Sequence, residues 1–117
     1  MHISLPKIVI TLGDPAGVGA EVTLKALSAP EIHSSAKFVV LGDRAAVAEA
    51  EKSTGIRLAE LPVEFRDREM LAKDAPVQMG ALRAEYGAAA MRYVKDATMM
   101  CLRGEADAMV KIGRAHV

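Results

Sequence analysis

Lys7-Ile8-Val9-Ile10-Thr11-Leu12 is a continuous β-branched and aliphatic run, and Gly13 ends it. A strand with one wet face alternates apolar and polar residues. A run without alternation reads as a strand buried on both faces, which is the signature of a parallel sheet sandwiched by helices. The chain that follows fits that architecture. Residues 13–19 form a Gly/Pro turn, residues 21–27 place apolar side chains at Val22, Leu24, Ala26 and Leu27 before Pro30 stops the helix, and Phe38-Val39-Val40-Leu41 is a second strand. Asp43 is a good N-cap for a helix over residues 44–54 that Gly55 terminates. Val63-Glu64-Phe65-Arg66 predicts a short third strand, and Pro76 lies in a loop over residues 72–80. From about Leu82 a long helix carries Tyr86, Ala90, Tyr93, Val94, Ala97, Cys101 and Leu102 on one stripe, with Gly104 past its end. Ala108-Met109-Val110 begins a fourth strand. The expected fold class is α/β, mainly a parallel sheet flanked by helices. No helix follows the last strand to cover it, so the α/β unit reads as incomplete and the chain as a fragment.

At 117 residues the chain has room for one domain. With two Tyr, two Phe and no Trp, its core must be built from Ala, Val, Leu, Ile and Met. Fifteen Lys and Arg balance fifteen Asp and Glu with no run of like charge, which argues against nucleic acid or anionic membrane as partner. A single cysteine, Cys101, closes no intrachain disulfide and forms no CxxC pair, so a reducing, cytoplasmic setting is expected. No segment reads as a signal sequence or a membrane span.

The strongest chemical signal is Gly13-Asp14-Pro15-Ala16-Gly17-Val18-Gly19-Ala20-Glu21, between the first strand and first helix. Open α/β sheets gather ligands outside the carboxyl ends of their strands, where this loop must lie. Gly13, Asp14, Gly17 and Gly19 are therefore the candidate cleft residues. The glycines let backbone approach a ligand or a second chain segment, and the same loop also reads as a tight connection that binds nothing. It is not a phosphate-binding P-loop, since neither Lys nor a hydroxyl follows Gly19. It departs from G-x-G-x-x-G, although Asp43 imitates the ribose-binding acid of that fingerprint while reading better as a helix cap. Asp14 and Glu21 oppose a phosphate held by this loop alone. Asp14 either orients a metal-bound water, a histidine or a ribose hydroxyl, or bonds backbone amides within its own turn. His2, His33 and His116 are scattered and read as surface residues rather than metal ligands, Cys101 as a buried thiol, and Met99 and Met100 as core filler. Asp96, Glu105 and Asp107 read as solvated positions at a helix end.

The stretch Ile10-Thr11-Leu12-Gly13-Asp14-Pro15-Ala16-Gly17-Val18-Gly19-Ala20-Glu21 closely resembles the opening of the 4-hydroxythreonine-4-phosphate dehydrogenase (PdxA) family. The likeness continues in Ala84-Glu85-Tyr86-Gly87 and from Ala97 through Gly104 to Val110. It implies the N-terminal part of an isocitrate/isopropylmalate dehydrogenase-like α/β fold, with a homodimer, NAD as oxidant and a divalent metal. The implied reaction is oxidation of 4-phosphohydroxy-L-threonine in pyridoxal phosphate biosynthesis. The threonate and erythronate 4-phosphate dehydrogenases of the same family are the nearest alternative, and a small nucleotide-binding module is a further one. The family's metal-binding histidines and its substrate-binding His-Thr pair fall after Val110, so no catalytic residue or metal ligand is assigned here, and the fragment alone is expected to bind no cofactor and to be inactive. Ala20 stands where the family usually has Pro, a mild change at the first helical position. Past Val110 the family continues with a Thr-Ala-Pro-type turn and Asn-Lys, whereas this chain reads Lys111-Ile112-Gly113-Arg114-Ala115-His116-Val117. That heptapeptide matches the in-frame translation of a common short-read sequencing adapter. Residues 1–110 are therefore expected to be dehydrogenase, and residues 111–117 a non-native tail.

Overall fold

The computed structural model describes residues 4–72 and 75–113. Among them four strands, β1 (Lys7–Thr11), β2 (Lys37–Gly42), β3 (Glu64–Asp67) and β4 (Ala108–Lys111), alternate with helices α1 (Gly19–Leu27), α2 (Pro30–His33), α3 (Arg44–Thr54) and α4 (Ala84–Leu102). All strand pairings are parallel, in the order β3-β2-β1-β4. The chain thus winds outward from β1 to β3 in one direction. It then returns through α4 to place β4 on the other side of β1.

Alternation along β1 sends its residues to two separate cores. Ile10 and Leu12, with Val40 of β2, pack against Ala20, Leu24 and Leu27 of α1 and Val47 and Ala50 of α3. Val9, with Val39 and Leu41, packs against Ala89, Tyr93, Ala97 and Met100 of α4. Burial on both sides explains the unbroken aliphatic run. Burying a Val or Leu side chain yields about 1.5–3 kcal/mol, so these two layers supply most of the drive for folding. β4 joins in register, Ile8 opposite Ala108 and Thr11 opposite Lys111. A reciprocal clasp sets its start: the Lys7 N–H donates to Asp107 Oδ2 and the Asp107 N–H to Lys7 O, each at 2.8 Å. Asp107 is therefore engaged although exposed. The strand is the least covered of the four, with Val110 41% exposed.

Two helix faces differ from their sequence reading. On α1 the buried set is Gly19, Ala20, Thr23, Leu24 and Leu27, while Val22 is exposed and so is Ala26. Thr23 turns inward because its hydroxyl bonds Gly19 O at 2.7 Å, which removes the cost of burying it. On α4 the inner stripe ends at Met100, with Met99 partly exposed, Cys101 half-buried and Leu102 76% exposed. Leu102 lies about half a turn round the helix from Tyr93, on the side away from the sheet. Pro30 does not merely follow α1 but opens α2, at a position where its missing N–H costs nothing. Asp96 is half-buried and paired with Arg92 and Arg68, Glu105 is exposed, and His33 is half-buried. His2, His116 and most of the expected foreign tail, residues 114–117, lie outside the described residues.

Candidate active-site cleft

The winding reverses between β1 and β4, which makes their carboxyl ends a switch point, the place where open α/β sheets bind ligands in a crevice. The loop after β1 lines it. A hollow of about 380 Å³ is bounded by Leu12, Asp14, Gly17, Gly19, the segment from Gly80 to Leu82, and Gly113. A second, of about 590 Å³, runs from Asp14 along Arg83, Gly87 and Met91 of the α4 start. Asp14 belongs to both.

The loop is shaped by two glycines with different duties. Gly13 has φ +73°, a left-handed conformation that glycine adopts freely, and a Cβ there would also lie 2.3 Å from Ile112 O in the segment leaving β4. Gly19 needs no unusual φ, yet a Cβ would lie 1.9 Å from Leu12 O. Its bareness lets α1 start directly against the end of β1. Gly17 closes a turn, its N–H donating to Asp14 O at 2.9 Å. Asp14 itself is half-buried, and its Oδ1 accepts the Ala16 N–H at 2.8 Å. Among the described residues its Oδ2 has no partner. One oxygen thus holds the turn and the other remains for a ligand.

Asp43 departs from its expected role. It occupies the position before α3, but its side chain makes no capping bond. It is 1% exposed, and its Oδ1 accepts the Leu71 N–H at 2.9 Å while Oδ2 accepts the Tyr93 hydroxyl. Burial first, and then the bond to Asp43, raises the Tyr93 phenol far above its ordinary range, so it stays a proton donor. With both oxygens committed inside the protein, Asp43 is not presented to a ribose. The strap between β3 and α4 is fastened twice more: the Gln78 N–H donates to the Tyr86 hydroxyl at 3.0 Å and the Gly80 N–H to Ala16 O at 2.9 Å. Sequence reasoning missed this strap. The one available signal was that the chain's two tyrosines lie seven residues apart, hence on one face of α4.

No family model matches the chain. It is 36% identical to the 4-hydroxythreonine-4-phosphate dehydrogenase of Geobacter metallireducens, over 89% of this chain and 34% of that protein. It is 33% identical to the D-threonate 4-phosphate dehydrogenase of Bordetella bronchiseptica, over 91% of this chain and 34% of that protein. The crystal structure of a 4-hydroxythreonine-4-phosphate dehydrogenase from Burkholderia phymatum superposes with a TM-score of 0.81 at 30% identity, covering 93% of this chain and 36% of that one. The chain belongs to the 4-hydroxythreonine-4-phosphate dehydrogenase family. It spans about a third of the length of the curated relatives it matches.

Membership in a dehydrogenase family raises the question of what the residues present could hold. Among the described residues no three His, Cys, Asp or Glu side chains converge as a metal would require. Asp14 alone is not a ligand set. A dinucleotide finds no better fit: Asp14 puts a carboxylate into the smaller hollow beside the loop, and Asp43 is buried away from it. No described helix is long and apolar enough to cross a membrane.

Proposed function

We propose that residues 1–110 form the N-terminal part of an NAD-dependent, metal-assisted dehydrogenase of a phosphorylated hydroxy acid, and that residues 111–117 are foreign to it. The substrate is 4-phosphohydroxy-L-threonine of pyridoxal phosphate biosynthesis, with threonate or erythronate 4-phosphate as the alternative, the first of them supported by the D-threonate 4-phosphate dehydrogenase among the relatives. The complete enzyme works as a cytoplasmic homodimer, and the chain as it stands is inactive.

The observation that carries this reading is the crevice at the carboxyl end of β1, with Asp14 lining both of its hollows, in a chain whose relatives are dehydrogenases. NAD would supply the hydride acceptor for the substrate carbinol. The residues of this chain form a wall for that event: the Gly13–Gly19 loop and the strap exclude water, and Asp14 Oδ2 orients a polar group of substrate or cofactor. The donors that hold NAD and the metal are assigned to the two thirds of the relatives' length that this chain does not match.

Fusing residues 1–110 to the remainder of the Geobacter metallireducens relative tests the reading. The hybrid should reduce NAD with one of the phosphorylated acids, whereas the 117-residue chain should give no turnover and no saturable heat on titration with NAD. A folded hybrid inert toward every such acid refutes the assignment, and saturable NAD binding by the short chain favours the small nucleotide-binding module. Resequencing the source locus beyond codon 110 decides the origin of the tail.

A further inference from the structure

We propose that Asp43 is a positioning residue for the cleft, a buried carboxylate that acts through Leu71 and Tyr93 to fix the strap whose far end shares the cleft wall with Asp14. This role concerns the wall and not the reaction, so it stands or falls separately from the dehydrogenase reading.

A carboxylate 1% exposed is costly to bury, and a local helix cap would need only Ser or Asn. Asp43 makes no cap bond, and its two side-chain partners come from 28 and 50 residues further along the chain. Its placement is accounted for by those remote partners. Bonds to an ionised acceptor are about twice as strong as neutral ones, and they demand donors in fixed positions. Tyr93 is such a donor, on a helix packed firmly against the sheet. Leu71 is the other, at the near end of the strap.

From Leu71 the constraint passes through a small satellite core. Ala16 of the cleft loop, Ala45 of the first turn of α3, Val77 and Tyr86 form it, with Leu71 and Ala81 packed against it. At the far end the Tyr86 hydroxyl accepts the Gln78 N–H and Ala16 O accepts the Gly80 N–H. Gly80, Ala81 and Leu82 then join Asp14 in lining the smaller hollow. The two tyrosines of α4 thus hold the two ends of one strap, one directly and one through Asp43.

Site-resolved amide exchange on the whole 117-residue chain tests the proposal, comparing wild type with Asp43→Asn, Tyr93→Phe and the double variant. The Leu71 and Gly80 amides should exchange at least tenfold faster in each single variant, while those of Val39 and Val40 in β2 keep their protection. The double variant should accelerate the strap by less than the product of the singles, because the two groups act as one unit. Tyr93→Phe keeps the ring in its core, so it decides the matter even if Asp43→Asn fails to fold. Unchanged protection at Leu71 and Gly80 in Tyr93→Phe would overturn the proposal. So would equal acceleration in β2, or a wild-type Leu71 amide that exchanges as fast as an exposed loop.

Discussion

Gly19 and Gly55 separate two reasons for a glycine, and exchanging each for alanine gives opposite physical problems. At Gly19, φ lies outside the left-handed region, so the backbone accepts alanine; as a first-turn helical residue it would even gain up to about 1 kcal/mol of helix propensity. The new Cβ, however, would stand 1.9 Å from Leu12 O and 2.9 Å from Leu12 C, both backbone atoms of the central strand's end. To reach ordinary contact at 3.4 Å the helix must retreat by about 1.5 Å, at the junction where α1 packs on the sheet. Overpacking of this kind costs about 1–3 kcal/mol or more. Because the neighbour is backbone and cannot rotate away, the upper end applies, leaving a net loss of about 2–3 kcal/mol. At Gly55 a Cβ would meet nothing within 4 Å, but φ is +73°. The left-handed penalty of about 1–2 kcal/mol, offset by the lower entropy of the unfolded chain, leaves about 1 kcal/mol. Thermal unfolding followed by circular dichroism at low micromolar protein should therefore rank Gly19→Ala well below Gly55→Ala, with Tm lower than wild type by roughly 8–12 °C and 4 °C respectively. A Gly19→Ala chain as stable as wild type, or more stable, would refute the packing of α1 against Leu12 and with it the shape of the cleft.

In the hybrid enzyme Asp14→Asn should lower kcat/KM tenfold or more, about 1.4 kcal/mol, at unchanged Tm; unchanged kinetics with a lower Tm would assign Asp14 to its turn alone. The sparsely covered β4 should make the chain self-associate with concentration, and Val110→Lys, which charges that strand, should reduce the scattered light; identical light scattering in the two chains would remove β4 from the contact. The Glu51 carboxyl is subject first to burial, which pushes it up, but the Leu58 N–H and the Arg44 guanidinium together outweigh this and hold it below its ordinary value. Its contribution is accordingly complete above the ordinary carboxylate pKa and is lost as pH falls through the depressed one, so Glu51→Gln should flatten the acid limb of stability below about pH 4. Parallel acid limbs would refute this.

The elements legible in the sequence are those set by neighbours in the chain. The end of α3 follows from Gly55, and β1 from its aliphatic run. The loop carrying Asp14 is legible as a glycine-rich turn beyond a strand. What escapes a reading of the sequence is decided by distant partners. Which apolar residues turn inward is set by the side each helix lays on the sheet: with Leu24 and Tyr93 facing it, Val22 and Leu102, about half a turn round, face solvent. Asp43 misleads for the same reason as the strap: its local position is that of a cap, and nothing near it in sequence announces Leu71 or Tyr93.

The pairing of β1 with both β2 and β4 also has a consequence in time. β2 ends at Gly42 and β4 begins at Ala108, so a ribosome moving at 5–20 residues per second needs roughly 3–13 s to supply the second neighbour after the first. During that interval the central strand of the sheet is an edge strand, with the N–H and C=O groups of Ile8 to Thr11 on one side awaiting a ladder from a hundred residues downstream. Closing so long a loop is slow, and a strand arriving late can slip by a residue. The Lys7–Asp107 clasp stands at the start of that ladder, where its two bonds of 2.8 Å fit only the register that buries Val9 and Ile10 on their proper sides.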